Sequence, residues 1–169
     1  MPMTLERTPS SDPAVGARRR QIAVLVDRTI DEAAARDLAT ALGVADAPDR
    51  SRIAVRSAGA RTLPGGRAYA SECLPFTRDH VVVADRLVAV ARRSGEACFG
   101  LAIQSAVDEL PWSADPSVER LLVVAGSEPF DEGPVDPGAA LALAEAAGIE
   151  VRLRYCGDPG HWAASTWSA

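Results

Sequence analysis

The chain has 169 residues, a net charge of −5 and nearly half its residues apolar, with alanine and valine abundant and aromatics few. That length predicts one domain with a real core, and the negative balance argues against nucleic acid as the main partner. Three widely spaced cysteines without a CxxC pair exclude a disulfide framework and a zinc site on spacing grounds, no apolar run has the length of a membrane span, and no apolar stretch marks a secretion signal, so the expectation is a soluble, cytoplasmic protein.

Residues 1–17 mix Pro, Ser, Thr and charge without periodicity and predict a flexible N-terminal tail. The run Arg18-Arg19-Arg20 reads as a solvated flank. Gln21–Asp27 (QIAVLVD) is a short continuous apolar run, as expected of a central strand buried on both faces. Ile30, Ala34, Leu38 and Leu42 then recur on one face of a helix, with Gly43 as its stop. Arg52–Ser57 predicts a second strand. Arg61–Arg67 predicts a hairpin-like connection, and Tyr69–Leu74 an edge strand antiparallel to its neighbour.

Thr77 is placed to cap a helix from Arg78 to about Ala91, with Asp79 in its first turn. Phe99, Ile103, Val107 and Leu110 form the buried stripe of the next helix, which Pro111 ends. Arg120–Gly126 (RLLVVAG) is the second strong buried strand. Asp136-Pro137 starts another helix and Gly148 stops it; Ile149–Tyr155 is the last strand. Helices alternating with apolar strands predict an α/β fold: a doubly wound, Rossmann-like, mostly parallel sheet with helices on both faces. Ligands of such sheets lie beyond the C-terminal strand ends. Attention therefore falls on the loops after Asp27, before Phe99 and after Gly126.

The first of these loops, Asp27-Arg28-Thr29-Ile30-Asp31, offers a carboxylate, a hydroxyl and a carboxylate at alternate positions. These are hard oxygen donors of the kind magnesium or manganese takes; the alternative is that Asp27 or Thr29 simply caps the next helix. Of the other chemistry-bearing residues, His80 and His161 belong to no recognisable triad, and Cys98 reads as a buried small residue. The chain has no GxSxG elbow, no Walker loop and no GxGxxG.

Three short motifs give the chain a family likeness. Pro75-Phe76-Thr77, Trp112-Ser113-Ala114-Asp115 and Cys156-Gly157-Asp158 occur in the order and context seen in one subgroup of bacterial von Willebrand factor A (VWA) domains, and the span from Gln21 to Asp158 resembles such a domain. The resemblance implies a VWA-like domain over residues 18–169. It also implies a metal-ion-dependent adhesion site, a carboxylate of a partner protein commonly completing the metal shell. Position by position, Asp27 matches the first aspartate of that site and Thr29 its first serine in kind. Asp31 stands for the second serine, Ser94 falls near the second-loop ligand, and Ser127 stands where an aspartate is expected. Losing that carboxylate weakens a hard-cation site, because charge count sets much of the affinity. Asp31 restores one negative charge and Arg28 opposes it. The expectation is a degenerate site, with Mg²⁺ or Mn²⁺ as the ion if one binds.

The ending is also short for the family: only His161–Ala169 follows, where a further strand and helix are expected. Either the sheet is one strand short or a partner covers that edge. Trp162 and Trp167 are either interface anchors or buried against the chain's own sheet. The function the resemblance implies is a non-catalytic protein–protein interaction module, an adaptor or subunit of a multi-component bacterial assembly such as those with AAA+ ATPases. Its binding face would include Arg28, Glu96 and Glu128. The alternative is a Mg²⁺-dependent, phosphatase-like hydrolase using Asp27 and Asp31; the absence of any lysine that could clamp a phosphate counts against it. A third reading is a structural remnant whose sheet edge makes the contacts.

Overall fold

A computed structural model of the protein describes residues 19–27, 30–42, 51–60, 71–91 and 96–168, with only the backbone described at 59–60, 71–73 and 96. The tail, Arg28, Thr29, the 61–67 connection and Ser94 lie outside the described residues. The main sheet has five strands in the order β4-β2-β1-β6-β7. They are β1 (Arg20–Val26), β2 (Ser51–Ser57), β4 (Ser71–Thr77), β6 (Glu119–Gly126) and β7 (Glu150–Tyr155). All neighbours are parallel except β4, which runs antiparallel to β2 at one edge. A two-stranded ribbon pairs β3 (Gly59–Ala60) with β5 (Glu96–Ala97).

Strand pleating sends alternate residues of each strand to opposite faces, so two cores form. Ile22, Val24 and Val26 of β1, with Leu121 and Val123 of β6, pack beneath α1 (Glu32–Ala41) and α2 (His80–Ala91). Ala23, Leu25, Leu122 and Val124 face α3 (Phe99–Glu109) and α4 (Pro137–Ala146). Burial on both faces explains why β1 and β6 read as unbroken apolar runs. Helix α1 starts at Asp31, whose Oδ1 accepts the Ala34 N–H at 2.7 Å. Helix α4 starts at Asp136, and Gly148 after it takes the left-handed φ of +67° that a non-glycine residue resists.

Two expectations move. The cap of α2 is Asp79, whose Oδ1 accepts the Val82 N–H at 3.2 Å; Thr77 instead accepts the Asp79 N–H at 3.0 Å, one step upstream. Strand β4 runs through Pro75 to Thr77 rather than ending at Leu74. The pairing slips there, with three β4 steps from Thr77 to Leu74 facing two from Ile53 to Val55. An edge-strand bulge is where proline, having no N–H, is tolerated.

The motifs PFT and WSAD meet at the end of the sheet away from the loops named above. Phe76 and Trp112 pack edge to face with ring centroids 5.2 Å apart. Trp112 Nε1 donates to the Ala106 carbonyl, and the buried Gln21 amide accepts from Ser113 N–H at 2.6 Å and donates to the Pro111 carbonyl. These motifs anchor the exit of α3 to the foot of β1.

Arg56 is buried at 3% exposure; its guanidinium donates to the Ser105 carbonyl at 3.0 Å and to Glu109 Oε2 at 2.5 Å. The Arg56 hydrogen bond holds the Glu109 carboxyl below its usual range, against a smaller opposing effect of burial. A folded-state value below the unfolded one adds stability that is full above the unfolded pKa and lost as pH falls through the folded one. Because the Glu109 side chain is 61% exposed, water screens the pair. Glu109→Gln is therefore expected to lower stability at pH 7 by under about 1 kcal/mol, and the difference from wild type should vanish in acid-range urea titrations. An equal difference at pH 7 and pH 3 would remove the ion pair as its cause.

Candidate functional site

The strand order reverses between β1 and β6, so the crevice lies beyond Val26 and Gly126. Asp27 sits there with no solvent exposure. Its own N–H donates to the Ala125 carbonyl at 2.9 Å, which fixes the residue as the first step out of β1. Its Oδ2 accepts the Ser127 and Glu128 N–H groups at 3.3 and 3.2 Å. A buried carboxylate must be compensated, and here two backbone amides of the third loop help to do so. Gly126 is required beside it: a Cβ at that position would stand 2.5 Å from Phe99 Cζ and 2.8 Å from Asp27 Cβ. Gly126→Ala is expected to cost about 1–3 kcal/mol by overpacking, measured by chemical denaturation; an unchanged midpoint would show that the Phe99 ring moves freely.

The other strand ends converge on the same region. Ala58 N–H donates to the Val26 carbonyl, Cys98 N–H to the Ala58 carbonyl, and Cys156 N–H to the Gly126 carbonyl, at 2.8–2.9 Å. The Cys98 bond and the β3–β5 ribbon bring the Glu96 backbone to the end of β2. Of the three family-like motifs, only Cys156-Gly157-Asp158 lies at this crevice. Burial pushes the Cys156 thiol up; Arg154 opposes the shift, while the negative charges of Asp27 and Asp31 add to it. Burial thus favours the protonated thiol over the thiolate.

The third loop is held from below by residues that the spacing of the sequence does not reveal. A 3₁₀ helix (Trp162–Trp167) follows β7. Trp167 is 7% exposed, and its ring lies 4.8 Å from Phe99, 5.1 Å from Phe130 and 6.0 Å from Tyr155 between centroids. Its Nε1 donates to the Glu128 carbonyl at 2.9 Å, and Thr166 Oγ1 accepts the Phe130 N–H at 2.8 Å. Of the two readings of Trp167, the structure has burial against the chain's own sheet. Trp162, by contrast, is 62% exposed.

Asp27, Asp31, Ser127 and Glu128 thus come together around one crevice, whereas Trp167 lies in the core beneath it. Arg28, Thr29 and Ser94 fall outside the described residues, and Glu96 is placed by its backbone alone. Among the described residues no cluster of three or more His, Cys, Asp or Glu stands in metal-binding geometry. Asp27 already accepts two amide hydrogen bonds through one oxygen and Asp31 caps a helix.

No family model matches this sequence, and no curated protein matches it. Solved structures do match it in shape. An aerotolerance-related membrane protein from Bacteroides fragilis superimposes with a TM-score of 0.61 at 17% identity, over 83% of this chain and 69% of that one. The mussel-byssus proximal thread matrix protein 1, with a zinc-occupied metal-ion-dependent adhesion site, gives 0.62 at 14% identity, over 82% of this chain and 36% of that one. The VWA domain of SpRpn10 gives 0.57 at 16%, over 89% of this chain and 80% of that one. The chain therefore has a VWA-like fold of the Rossmann-like α/β class. No helix among the described residues is long and apolar enough to cross a membrane.

Proposed function

We propose that the chain is a non-catalytic protein-interaction module of VWA type, working as an adaptor or subunit of a larger cytoplasmic assembly. Its binding face is formed by the loops after β1, before α3 and after β6. The observation that carries this reading is the state of Asp27: the site's first carboxylate is fully buried and engaged by the Ser127 and Glu128 amides. Those amides supply positive partial charge where a cation would otherwise stand. Together with Ser127 in place of an aspartate, this supports a degenerate, metal-independent site. A retained ion, Mg²⁺ or Mn²⁺, would draw on Asp27, Thr29, Asp31, Ser94 and Ser127. Glu128 gives a partner a charge in the third loop, and Trp162, 62% exposed at the start of the 3₁₀ helix, an aromatic anchor; Arg28 and Glu96 belong to the other loops.

The test is to isolate the tagged chain from its own cells with its partner, then repeat with Glu128→Arg and Asp31→Asn together, asparagine keeping the helix cap. Loss of the partner with an unchanged melting curve is expected. A partner retained by that variant would move the contact off the loops. Hydrolysis of a generic phosphate ester in Mg²⁺, abolished by Asp27→Asn, would replace the module with a hydrolase.

A further inference from the structure

Two of the four large apolar side chains exposed among the described residues are neighbours on α2: Val81 at 72% and Val82 at 38%. The outer side of α2 also borders an open groove of about 680 Å³ shared with α1, lined by Ala39 of α1 and by Ala84, Val88 and Ala89 of α2. Ala84 and Val88 rest on the core and are only partly buried, and Ala89 is exposed. Val81, Ala84 and Val88 recur at i, i+3 and i+7, so one stripe of α2 turns apolar side chains to solvent. The two sides of the groove carry opposite charges, Arg36 on α1 and Asp85 on α2. The two helices run in opposite directions: α1 starts at the crevice after β1, whereas α2 starts at the other end of the sheet, where the antiparallel β4 stops at Thr77.

We propose that this groove is a dimer interface, occupied by the α1–α2 face of a second copy of the chain. The opposite charges on its two sides argue for that occupant, because they make the face complementary to itself. A two-fold axis along the groove lays α1 of each copy over α2 of the other. Arg36 then comes within reach of the partner subunit's Asp85, and the reciprocal pair forms at the same time. An axis across the groove would set α1 on α1 and like charge on like charge, which is costly. Arg36 is bonded to Glu32 on its own helix, an exposed and hence weak pair that leaves other guanidinium donors for the partner. The alanines let the helices approach closely, and Val81 and Val88 supply the side chains that fill the join. Helices of 10 and 12 residues side by side present a face of roughly 18 by 20 Å. That is small for an interface, so the dimer is weak and forms and dissociates with concentration. The same axis points both crevices to one side. Given the loop-face function proposed above, on which this consequence alone rests, the dimer offers two binding faces at once. The interface itself lies on the helical flank, so its failure would leave that function standing.

Sedimentation velocity of the full chain, from about 1 µM to about 1 mM, reads the association. Wild type is expected to pass from monomer towards dimer across that range. Arg36→Asp sets two carboxylates against each other across the interface, and Asp85→Arg sets two guanidiniums. Each variant alone should therefore dimerise at least about tenfold more weakly than wild type. Mixed in equal amounts, the two variants regain both attractive pairs and should form a heterodimer of wild-type strength. Damage to the fold of either variant could not give that rescue, and melting curves check the fold independently. A wild-type chain that stays monomeric at about 1 mM would overturn the proposal and leave the face to a different protein. A dimer that both single variants form at wild-type strength would move the contact elsewhere, such as the outer strand β7 or the exposed Trp162. A mixture no tighter than its components would equally overturn it.

Discussion

Trp167→Ala is expected to lower the stability of the protein by about 3–5 kcal/mol, the cost of emptying a buried indole site. The ring is 7% exposed and contacts three other aromatics, so little of the cavity can collapse without moving Phe99 or Phe130. For a domain of this size the loss corresponds to a fall of roughly 10 °C in melting temperature. Trp167→Phe separates two contributions: it keeps most of the packing and gives up the Nε1 bond to the Glu128 carbonyl, costing about 1 kcal/mol for the bond. Trp162→Ala, at a 62% exposed position, is the internal control and should leave the melt unchanged. Urea titrations of the three variants measure all of this. A Trp167→Ala loss below 1 kcal/mol would mean that the terminal 3₁₀ helix does not dock as described.

The same cluster marks where sequence reading stops. The central strands were legible because burial on both faces leaves continuous runs, QIAVLV and RLLVVAG, that no surface segment would carry. The helices were legible through period and caps; Asp136 and Gly148 do what their chemistry predicts, whereas the cap of α1 is Asp31 and not Asp27 or Thr29. The ribbon β3–β5 has two residues in each strand, too few for alternation to register. Pro75 hid the end of β4 because proline excludes a residue from the ladder but not from a bulge. Trp167 carried no signal of its own burial, since a single 3₁₀ turn has no apolar period and its partners Phe99, Phe130 and Tyr155 sit on separate elements.

The candidate site was half legible for a related reason. A strand that ends on aspartate announces a polar centre at the sheet's C-terminal edge. What meets that aspartate is a pair of backbone amides, which every non-proline residue possesses and no residue type advertises. Ser127 and Glu128 stand where the family pattern supplies a metal ligand and its neighbour, yet their described contribution is through N–H groups.

Asp27→Ala is therefore expected to destabilise the protein by about 2–4 kcal/mol, because two amides lose a charged acceptor inside the crevice. Asp27→Asn, which keeps one carbonyl acceptor without the charge, should cost less. The metal response decides what the residue is for. A divalent ion bound only by the folded state raises stability by RT ln(1 + [L]/Kd), about 2.7 kcal/mol at a hundredfold excess over Kd. Melts in EDTA, and then in millimolar Mg²⁺ or Mn²⁺, are expected to coincide for wild type, with both Asp27 variants displaced downward by the same amount in every buffer. A rise in metal that Asp27→Asn abolishes would show a loaded adhesion site and assign the partner the task of supplying a carboxylate. Coincident curves would leave the carboxylate as the brace that fixes the third loop through the Ser127 and Glu128 amides.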